Sequence, residues 1–298
     1  MVFSNLLFIY AFLPLCMLFY ILPKSITAKN ITLLVFSLIF YTWGEPIYVL
    51  LLILMTFFDW FFGILIEKAQ TKTIKRLFLF FACLVNIGLI GYFKYTGFIL
   101  TNVQSVFGIP QVIPQIALPI GISFYTFQLL SYVVDVYRNE VKAQKNFFWL
   151  LLYSSLFYQC IAGPIVRYSD VQREITERKA SFNDVSEGIT RFTVGLGKKA
   201  LLANTCGSLS DNLLVADSLI ASSPDVALAE LSSRSVAGIF FGVLFYMLQI
   251  YLDFSAYSDM AIGMGRMVGF HFKENFLYPY TAKSVTDFWR RWHISLST

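Results

Sequence analysis

The sequence predicts an all-α, polytopic membrane protein: one bundle of apolar helices with broken or re-entrant pieces and an amphipathic helix at the membrane interface. Three observations lead to this prediction. Of 298 residues, 57% are hydrophobic and 18% aromatic, against 14% charged, a balance well outside that of soluble domains. Several uncharged runs approach the ~20 residues that a spanning helix needs. One stretch of mixed composition carries an apolar stripe at helical spacing.

Uncharged runs mark the predicted membrane helices. They cover residues 1–23, 77–93, 146–166 and 235–252. The first run lacks the early positive charge and the small-residue cleavage site of a secretory signal, so we expect a retained helix. A further hydrophobic stretch lies at 47–66. The apolar run 31–43 is short for a span, at ~20 Å of helix.

The uncharged run 95–134 is twice the length of one span. It contains Gly97, Gly108, Pro110, Pro114, Pro119 and Gly121. Because proline removes a backbone donor and interrupts a helix, we expect broken or re-entrant pieces here instead of a single helix.

Basic residues set the predicted orientation. Two predicted crossings separate the loop with Lys24 and Lys29 from the loop that begins at Lys68. Both loops therefore lie on one face, which the positive-inside rule makes cytoplasmic, with the N-terminus outside. The net charge of +5 is spread along the chain, so we expect no nucleic-acid partner and take membrane lipid as the surroundings.

The cysteines do not indicate a metal or redox site. Cys16, Cys83, Cys160 and Cys206 are far apart and form no C-x-x-C pair. We predict that they are small buried hydrophobes, and we predict no metal site.

The mixed segment after Arg167 contains one amphipathic helix. Its apolar stripe consists of Val185, Ile189, Phe192 and Leu196, with Asn183 as a possible N-cap. The stripe suits a helix that lies in the membrane interface. It suits equally a helix packed on the outside of the bundle, because both arrangements bury the same residues.

Polar residues recur at helical spacing within two apolar segments. Tyr125, Gln128, Tyr132 and Asp135 share one helix face after Gly121, and Gln249, Asp253, Tyr257, Asp259 and Arg266 mark the polar side of a second helix. Such residues form a hydrogen-bond seam between helices or line a cavity. For Asp253 and Asp259 we favour a cavity, since an unpaired carboxylate in apolar surroundings is costly.

A third polar group lies in "DFWRRWHISLST", residues 287–298. Ser284 and Asp287 fit a capping box, which predicts a helix from Val285. Asp287 is then within reach of Arg290 or Arg291. The spacing also places Trp289, His293 and Leu296 on one side of this helix. His293 is either a hydrogen-bonded structural residue or a general base; His271 lies in a predicted loop.

At these residues the sequence resembles the membrane-bound O-acyltransferases, in their alginate O-acetyltransferase-like branch. The matching stretches are "MVFSNLLFIYAFLP" at the start, "ALPIGISFYTFQLLSYVVDVYR" at 117–138, "IAGPIVRYSD" at 161–170, "RFTVGLGKKALLAN" at 191–204, and residues 253–298 from "DFSAYSDMAIG" to "FWRRWHISLST". The resemblance implies a membrane bundle with a funnel on each face, joined by a narrow tunnel. It also implies a bacterial plasma-membrane enzyme that transfers an acyl group from an intracellular donor, with acetyl-CoA expected, for O-acetylation of an exported polysaccharide. An extracytoplasmic acetyltransferase is the expected partner protein.

The resemblance also assigns residues. His293 matches the histidine of the family motif "WHxSLS", whereas the principal catalytic histidine belongs to a later tryptophan-histidine-glycine segment. We therefore expect residues 1–298 to be a single acyltransferase domain that is incomplete at its C-terminus. His293, with Trp289, Arg290 and Arg291, is expected to orient the acyl donor or to gate the tunnel.

Four further residues are candidates for lining the same cavity: Asp253, Tyr257, Asp259 and Asn275. The sequence is also compatible with three other functions. D-alanyl transfer to teichoic acid shares the fold and the motif. Transport or lipid flipping also uses intramembrane carboxylates and broken helices, and a truncated chain could serve only as a scaffold.

Overall fold

The computed structural model describes residues 3–108, 116–159, 163–215 and 217–297, and the regular secondary structure within them is helical. The helices are α1 (Phe8–Ile21), α2 (Ile26–Gly44), α3 (Tyr48–Lys68), α4 (Lys72–Phe107), α5 (Ile122–Tyr137), α6 (Phe147–Ser155), α7 (Tyr168–Glu177), α8 (Phe182–Gly197), α9 (Asn204–Leu213), α10 (Asp217–Ser222), α11 (Pro224–Ser232), α12 (Val236–Met267), α13 (Val285–Arg291) and α14 (Ile294–Ser297). A π-helical segment, Lys198–Ala203, joins α8 to α9. The all-α prediction is confirmed.

Four of these helices are long and apolar enough to cross a membrane: α2, α3, α4 and α12. The predicted stretches 47–66 and 235–252 lie within α3 and α12. The expectation of a short run at 31–43 is wrong, because α2 begins at Ile26, where the Ser25 side chain caps it, and has 19 residues. The helix is therefore long enough to be one of the four spanning candidates.

The run 146–166 does not form the predicted span. Among the residues of this run that the structure describes, only Phe147–Ser155 is helical, nine residues that Asn146 caps and that are largely buried. The first run forms α1, Phe8–Ile21, which is shorter than the four spanning candidates.

The predicted break within 95–134 is present, but it lies further along than Gly97. The chain stays helical through Gly97 to Phe107, and Gly108 then ends α4 with a φ of 63°. Helix α5 begins only after Gly121, whose φ is 77°. Pro110 and Pro114 lie outside the described residues, as does Cys160. Among the other cysteines, Cys16 is buried, while Cys83 and Cys206 are only partly buried.

The polar face of α5 forms part of the bundle interior. Tyr125, Gln128, Tyr132 and Asp135 are all buried. The Tyr132 hydroxyl accepts a hydrogen bond from the backbone N–H of Gln144 at 2.9 Å. Asp135 lies 3.5 Å from Arg167. These contacts favour the interpretation of the face as a polar seam between helices.

A buried arginine ties four elements together. Arg178, only 7% exposed, directly follows α7. It donates to the Asn30 side chain of α2 at 2.5 Å, to the Tyr20 hydroxyl of α1 at 3.3 Å, and to the carbonyl of Val268 at 3.2 Å. Val268 is the C-cap of α12. Carbonyl groups at helix ends carry partial negative charge, so they stabilise this guanidinium in the core.

Helix α8 packs along α12. Its N-cap is Ser181, which forms a capping box with Asp184; the predicted cap at Asn183 is therefore two residues late. Phe192 is buried in the contact, but Ile189 of the predicted stripe is 52% exposed. The tight contact is made by Gly188 and Gly195 instead. Helix α8 thus packs on the bundle and also presents apolar side chains outward.

Candidate active site

The chain after α12 turns back along that helix. Gly269, with a φ of 87°, makes the turn. Glu274 then binds Arg191 of α8, and the Tyr280 hydroxyl donates to the Met247 carbonyl of α12 at 2.8 Å. Met247 lies about 30 Å along the helix from its end at Met267. Largely irregular backbone therefore runs beside an apolar helix, which is tolerated where protein surrounds it or where it lines a cavity.

Residues 268–284, here called the return segment, hold the residues around His293 by hydrogen bonds. The backbone carbonyl of Asn275 accepts from the N–H of Ile294 at 3.0 Å, and that of Arg291 accepts from Leu277 at 2.9 Å. Asn275 Oδ1 accepts from the N–H of Ser295 at 3.2 Å and from its hydroxyl at 2.8 Å. The arrangement holds His293 in a left-handed conformation, with a φ of 47°. Residues other than glycine rarely adopt this conformation, and the surrounding structure must then stabilise it.

His293 is 9% exposed. Its ring packs edge-on against Phe254 of α12, with 4.9 Å between centroids. Burial lowers the pKa of His293 from its ordinary value of 6.5. The neutral imidazole, which can accept a proton, is therefore the favoured form near pH 7.

The predicted helical stacking of Trp289, His293 and Leu296 is wrong. Helix α13 ends at Arg291, and Trp292 already has extended backbone. Trp289 is 54% exposed. Trp292 instead occupies the centre of an aromatic cluster, defined as Trp292 and the five rings within 6.4 Å of it: Tyr251, Phe254, Phe276, Tyr280 and Phe288.

The two arginines of α13 differ in their contacts. Ser284 caps the helix, as predicted. Asp287 pairs with Arg291 at 2.8 Å, and Arg291 also lies 3.4 Å from the Thr281 hydroxyl. The hydrogen bond from Arg291 lowers the pKa of Asp287. Arg290 is exposed.

A polar cavity of about 400 Å³ lies between α8, α12 and the return segment. Two basic and two acidic residues line it. Arg191 donates to Asp259 at 2.9 Å and binds both carboxylate oxygens of Glu274. Lys198 binds the second oxygen of Asp259 at 2.5 Å. The remaining lining residues are Tyr251, Ser255, Ser258, Asn275, Phe276, Leu277 and Tyr278.

The four predicted lining residues differ in their positions relative to this cavity. Asp259 and Asn275 both line this cavity. Asp253 pairs with Lys199 at 2.8 Å. The Tyr257 ring stacks on Phe3 with 4.2 Å between centroids. The cavity thus unites one carboxylate of α12 with the asparagine that holds the His293 segment.

Arg191, Lys198 and Glu274 are site residues that the sequence did not single out. Arg191 and Lys198 lie seven residues apart, about two helical turns, so their spacing already predicts one basic face along α8 and the segment that continues it. Their partners were not, because Asp259 and Glu274 are more than sixty residues away.

A second, smaller cavity of about 90 Å³ lies on the other side of the return segment. Its wall includes Arg167, Lys273, Ile294 and Ser295. The Ser295 hydroxyl accepts from the N–H of Ile165 there, at 3.0 Å. Glu274 lines both cavities. The pairing of the return segment with residues 294–295 therefore forms part of the partition between them.

Together, the apolar helices and the polar cavities beside them define a multi-pass membrane protein with a polar site. The sequence profile of the membrane-bound O-acyltransferase family matches residues 136–298, and this chain belongs to that family.

Curated relatives agree with this assignment. The chain is 38% identical over 303 residues to "Probable alginate O-acetylase AlgI" of Pseudomonas aeruginosa and 38% identical over 304 residues to the protein of that name in Azotobacter vinelandii. It is 32% identical over 329 residues to the peptidoglycan O-acetyltransferase of Helicobacter pylori. These matches cover all of this chain but only 55%, 58% and 60% of the relatives. The chain spans little more than half their length.

Proposed function

We propose that this protein transfers acetyl groups across the plasma membrane for O-acetylation of an exported polysaccharide, with acetyl-CoA as the cytoplasmic donor. One observation carries the proposal: the buried imidazole of His293 lies in a segment that Asn275, in the wall of the polar cavity, holds by hydrogen bonds to Ile294 and Ser295. Relatives over the whole chain are named for O-acetylation, whereas the teichoic acid D-alanyltransferase of Bacillus subtilis is 26% identical over 60% of it. Acetyl transfer is therefore favoured over D-alanyl transfer.

The reaction requires a base, an electrophile and stabilisation of charge. The acceptor oxygen bonds to the carbonyl carbon of the thioester while its proton passes to a base. The carbonyl π electrons move to oxygen; when they return, the C–S bond breaks and the thiolate takes up the proton. We assign His293 to orienting the acyl donor, with Arg290, Arg291 and Trp289 at the approach. The base is then the histidine of the tryptophan-histidine-glycine segment, beyond residue 298.

The cavity residues have proposed roles in the same reaction. Asp259 positions Arg191 and Lys198, and Asn275 positions the His293 segment. Asp253 and Tyr257 support this arrangement from the neighbouring faces of α12. Residues 1–298 then form most of one membrane domain that the later segment completes.

We further infer the orientation and the partners. Basic residues before α2 and between α3 and α4 place those loops in the cytoplasm and the N-terminus outside. The donor therefore enters from the cytoplasmic face, where these loops lie. The acetyl group leaves on the other side, where a separate extracytoplasmic transferase passes it to the glycan.

The test uses the full-length protein in membranes with labelled acetyl-CoA. His293→Ala is expected to reduce transfer of label to cell-surface glycan by at least about tenfold without loss of membrane insertion. His271→Ala is the matched control, since His271 is 52% exposed and bonds Glu174 at the protein surface. Unchanged transfer in His293→Ala would make His293 structural. Intact label that crosses the bilayer of liposomes would indicate transport.

A further inference from the structure

The side-chain amide of Asn275 has one defined orientation. Its Oδ1 accepts from the backbone N–H of Ser295. A backbone N–H can only donate, so the atom facing it must be the oxygen, and a flipped amide would place two donors against each other. The –NH₂ group consequently points away from Ser295.

That –NH₂ group is a buried donor with no hydrogen-bond acceptor among the residues that the structure describes. Asn275 is only 1% exposed and lies in the wall of the 400 Å³ cavity. An unsatisfied buried donor is costly, and natively folded proteins retain few of them. Its retention in a cavity wall points to an acceptor that a ligand supplies.

The position of the donor relative to His293 is fixed by the backbone. The Asn275 carbonyl accepts from Ile294, and its side chain holds Ser295. The donor and the imidazole are therefore carried by the same pair of hydrogen-bonded segments. Oxyanion stabilisation has this requirement, because the donor must already be oriented when charge develops.

We propose that Asn275 Nδ2 donates a hydrogen bond to the carbonyl oxygen of the bound acyl group, and that this bond strengthens as the oxygen becomes an oxyanion. The inference rests on the proposed acyl transfer and adds a catalytic residue to it. Asn275 forms no covalent bond and exchanges no proton with the substrate.

Two analogues of acetyl-CoA test the proposal by binding to the full-length protein. In the first, a methylene group replaces the thioester sulfur, so the carbonyl is kept. The second, S-ethyl-coenzyme A, is a thioether without the carbonyl oxygen. The wild type is expected to bind the ketone about 5- to 10-fold more tightly, the ratio typical of one neutral hydrogen bond.

Substitutions then distinguish the Nδ2 donor from the Ser295 contact, in which Asn275 Oδ1 accepts two hydrogen bonds from Ser295. Asn275→Ala removes both, and its affinity ratio should fall to about one, with turnover reduced about 10²- to 10³-fold. Ser295→Ala removes one hydrogen bond of the Ser295 contact but keeps the Nδ2 donor. The ratio of its affinities for the ketone and the thioether should therefore stay at the wild-type value. Asn275→Asp, measured at pH 8, keeps the oxygen that binds Ser295 and should bind the ketone no better than the thioether.

Each outcome decides a separate point. Equal binding of both analogues by the wild type, or an unchanged ratio in Asn275→Ala and Asn275→Asp, overturns the assignment of Asn275 and leaves acyl transfer in place. Failure of the wild type to bind either analogue overturns acetyl-CoA as the donor, and the inference about Asn275 with it.

Discussion

Gly188 of α8 and Gly263 of α12 face each other where the two helices cross: a Cβ atom on either would lie 2.7 Å from the carbonyl oxygen of the other. Small residues at such crossings let helix backbones approach closely. The same close approach continues to Gly195, where a Cβ would lie 2.9 Å from the Ala256 carbonyl. It brings Arg191 and Lys198 of the α8–α9 segment onto Asp259.

We therefore expect Gly188→Ala to destabilise the protein by about 1–3 kcal/mol, the usual cost of overpacking a tight contact. The added methyl group meets backbone atoms of α12, which cannot rotate away. Gly197→Ala is the matched control on the same helix, since a Cβ there has no atom within 4 Å among the described residues. Thermal unfolding in detergent measures both. Equal melting temperatures would contradict the tight crossing.

The charged wall of the cavity gives a second prediction. Asp259→Asn leaves Arg191 and Lys198 without the carboxylate that both contact. We expect a loss of about 2 kcal/mol in stability, together with a fall in acetyl transfer. Asp253→Asn breaks one pair with Lys199, and the Asp253 side chain is more exposed than that of Asp259. It should cost less than about 1 kcal/mol. The reverse order would show that the network does not stabilise the site.

The two tryptophans that flank the arginines provide a third comparison. Trp292→Ala removes the centre of the aromatic cluster and should cost about 3–5 kcal/mol. Trp289→Ala removes a mostly exposed ring, and we expect a stability change within about 1 kcal/mol. Chemical denaturation of the two variants measures the difference. A Trp289→Ala variant that keeps its stability but loses acetyl transfer would support the proposed role of Trp289 at the approach of the donor.

The fourth prediction concerns pH. Because the pKa of His293 is lower in the folded protein than its ordinary value of 6.5, the unfolded chain binds this proton more readily as the pH falls below that value. Stability therefore decreases with falling pH between 6.5 and the folded-state pKa. His293→Gln should lose this part of the pH dependence. His271 is present in both proteins, so its contribution cancels. Melting temperatures from pH 7.5 down to pH 5 test the prediction, and identical profiles would contradict it.

Several features were predictable from the sequence because their causes are local. The apolar runs at 47–66 and 235–252 predicted α3 and α12, since hydrophobic length and low charge decide whether a helix can span a membrane. The Ser284 cap was predictable because an N-cap bonds to groups within its first turn. The polar face of α5 followed from its spacing alone.

Other features depended on distant residues. The run 146–166 was apolar enough for a span, yet its helix ends at Ser155 and the chain there is buried in the bundle. The spacing of Trp289 and His293 predicted one continuous helix, but Asn275, eighteen positions before His293, pairs with Ile294 and Ser295 and ends it.

The amino-acid sequence by itself determined that this chain is an all-α membrane protein and that its polar residues cluster in a few segments, because composition and periodicity act within one helix. Only the tertiary structure decided which polar groups meet. The pairing of Asp259 with Arg191, the place of the Asn275 amide in the cavity wall and the left-handed backbone of His293 all arise from segments that are distant in the chain. A hydrogen bond depends on positions and angles of atoms that only the folded chain brings together.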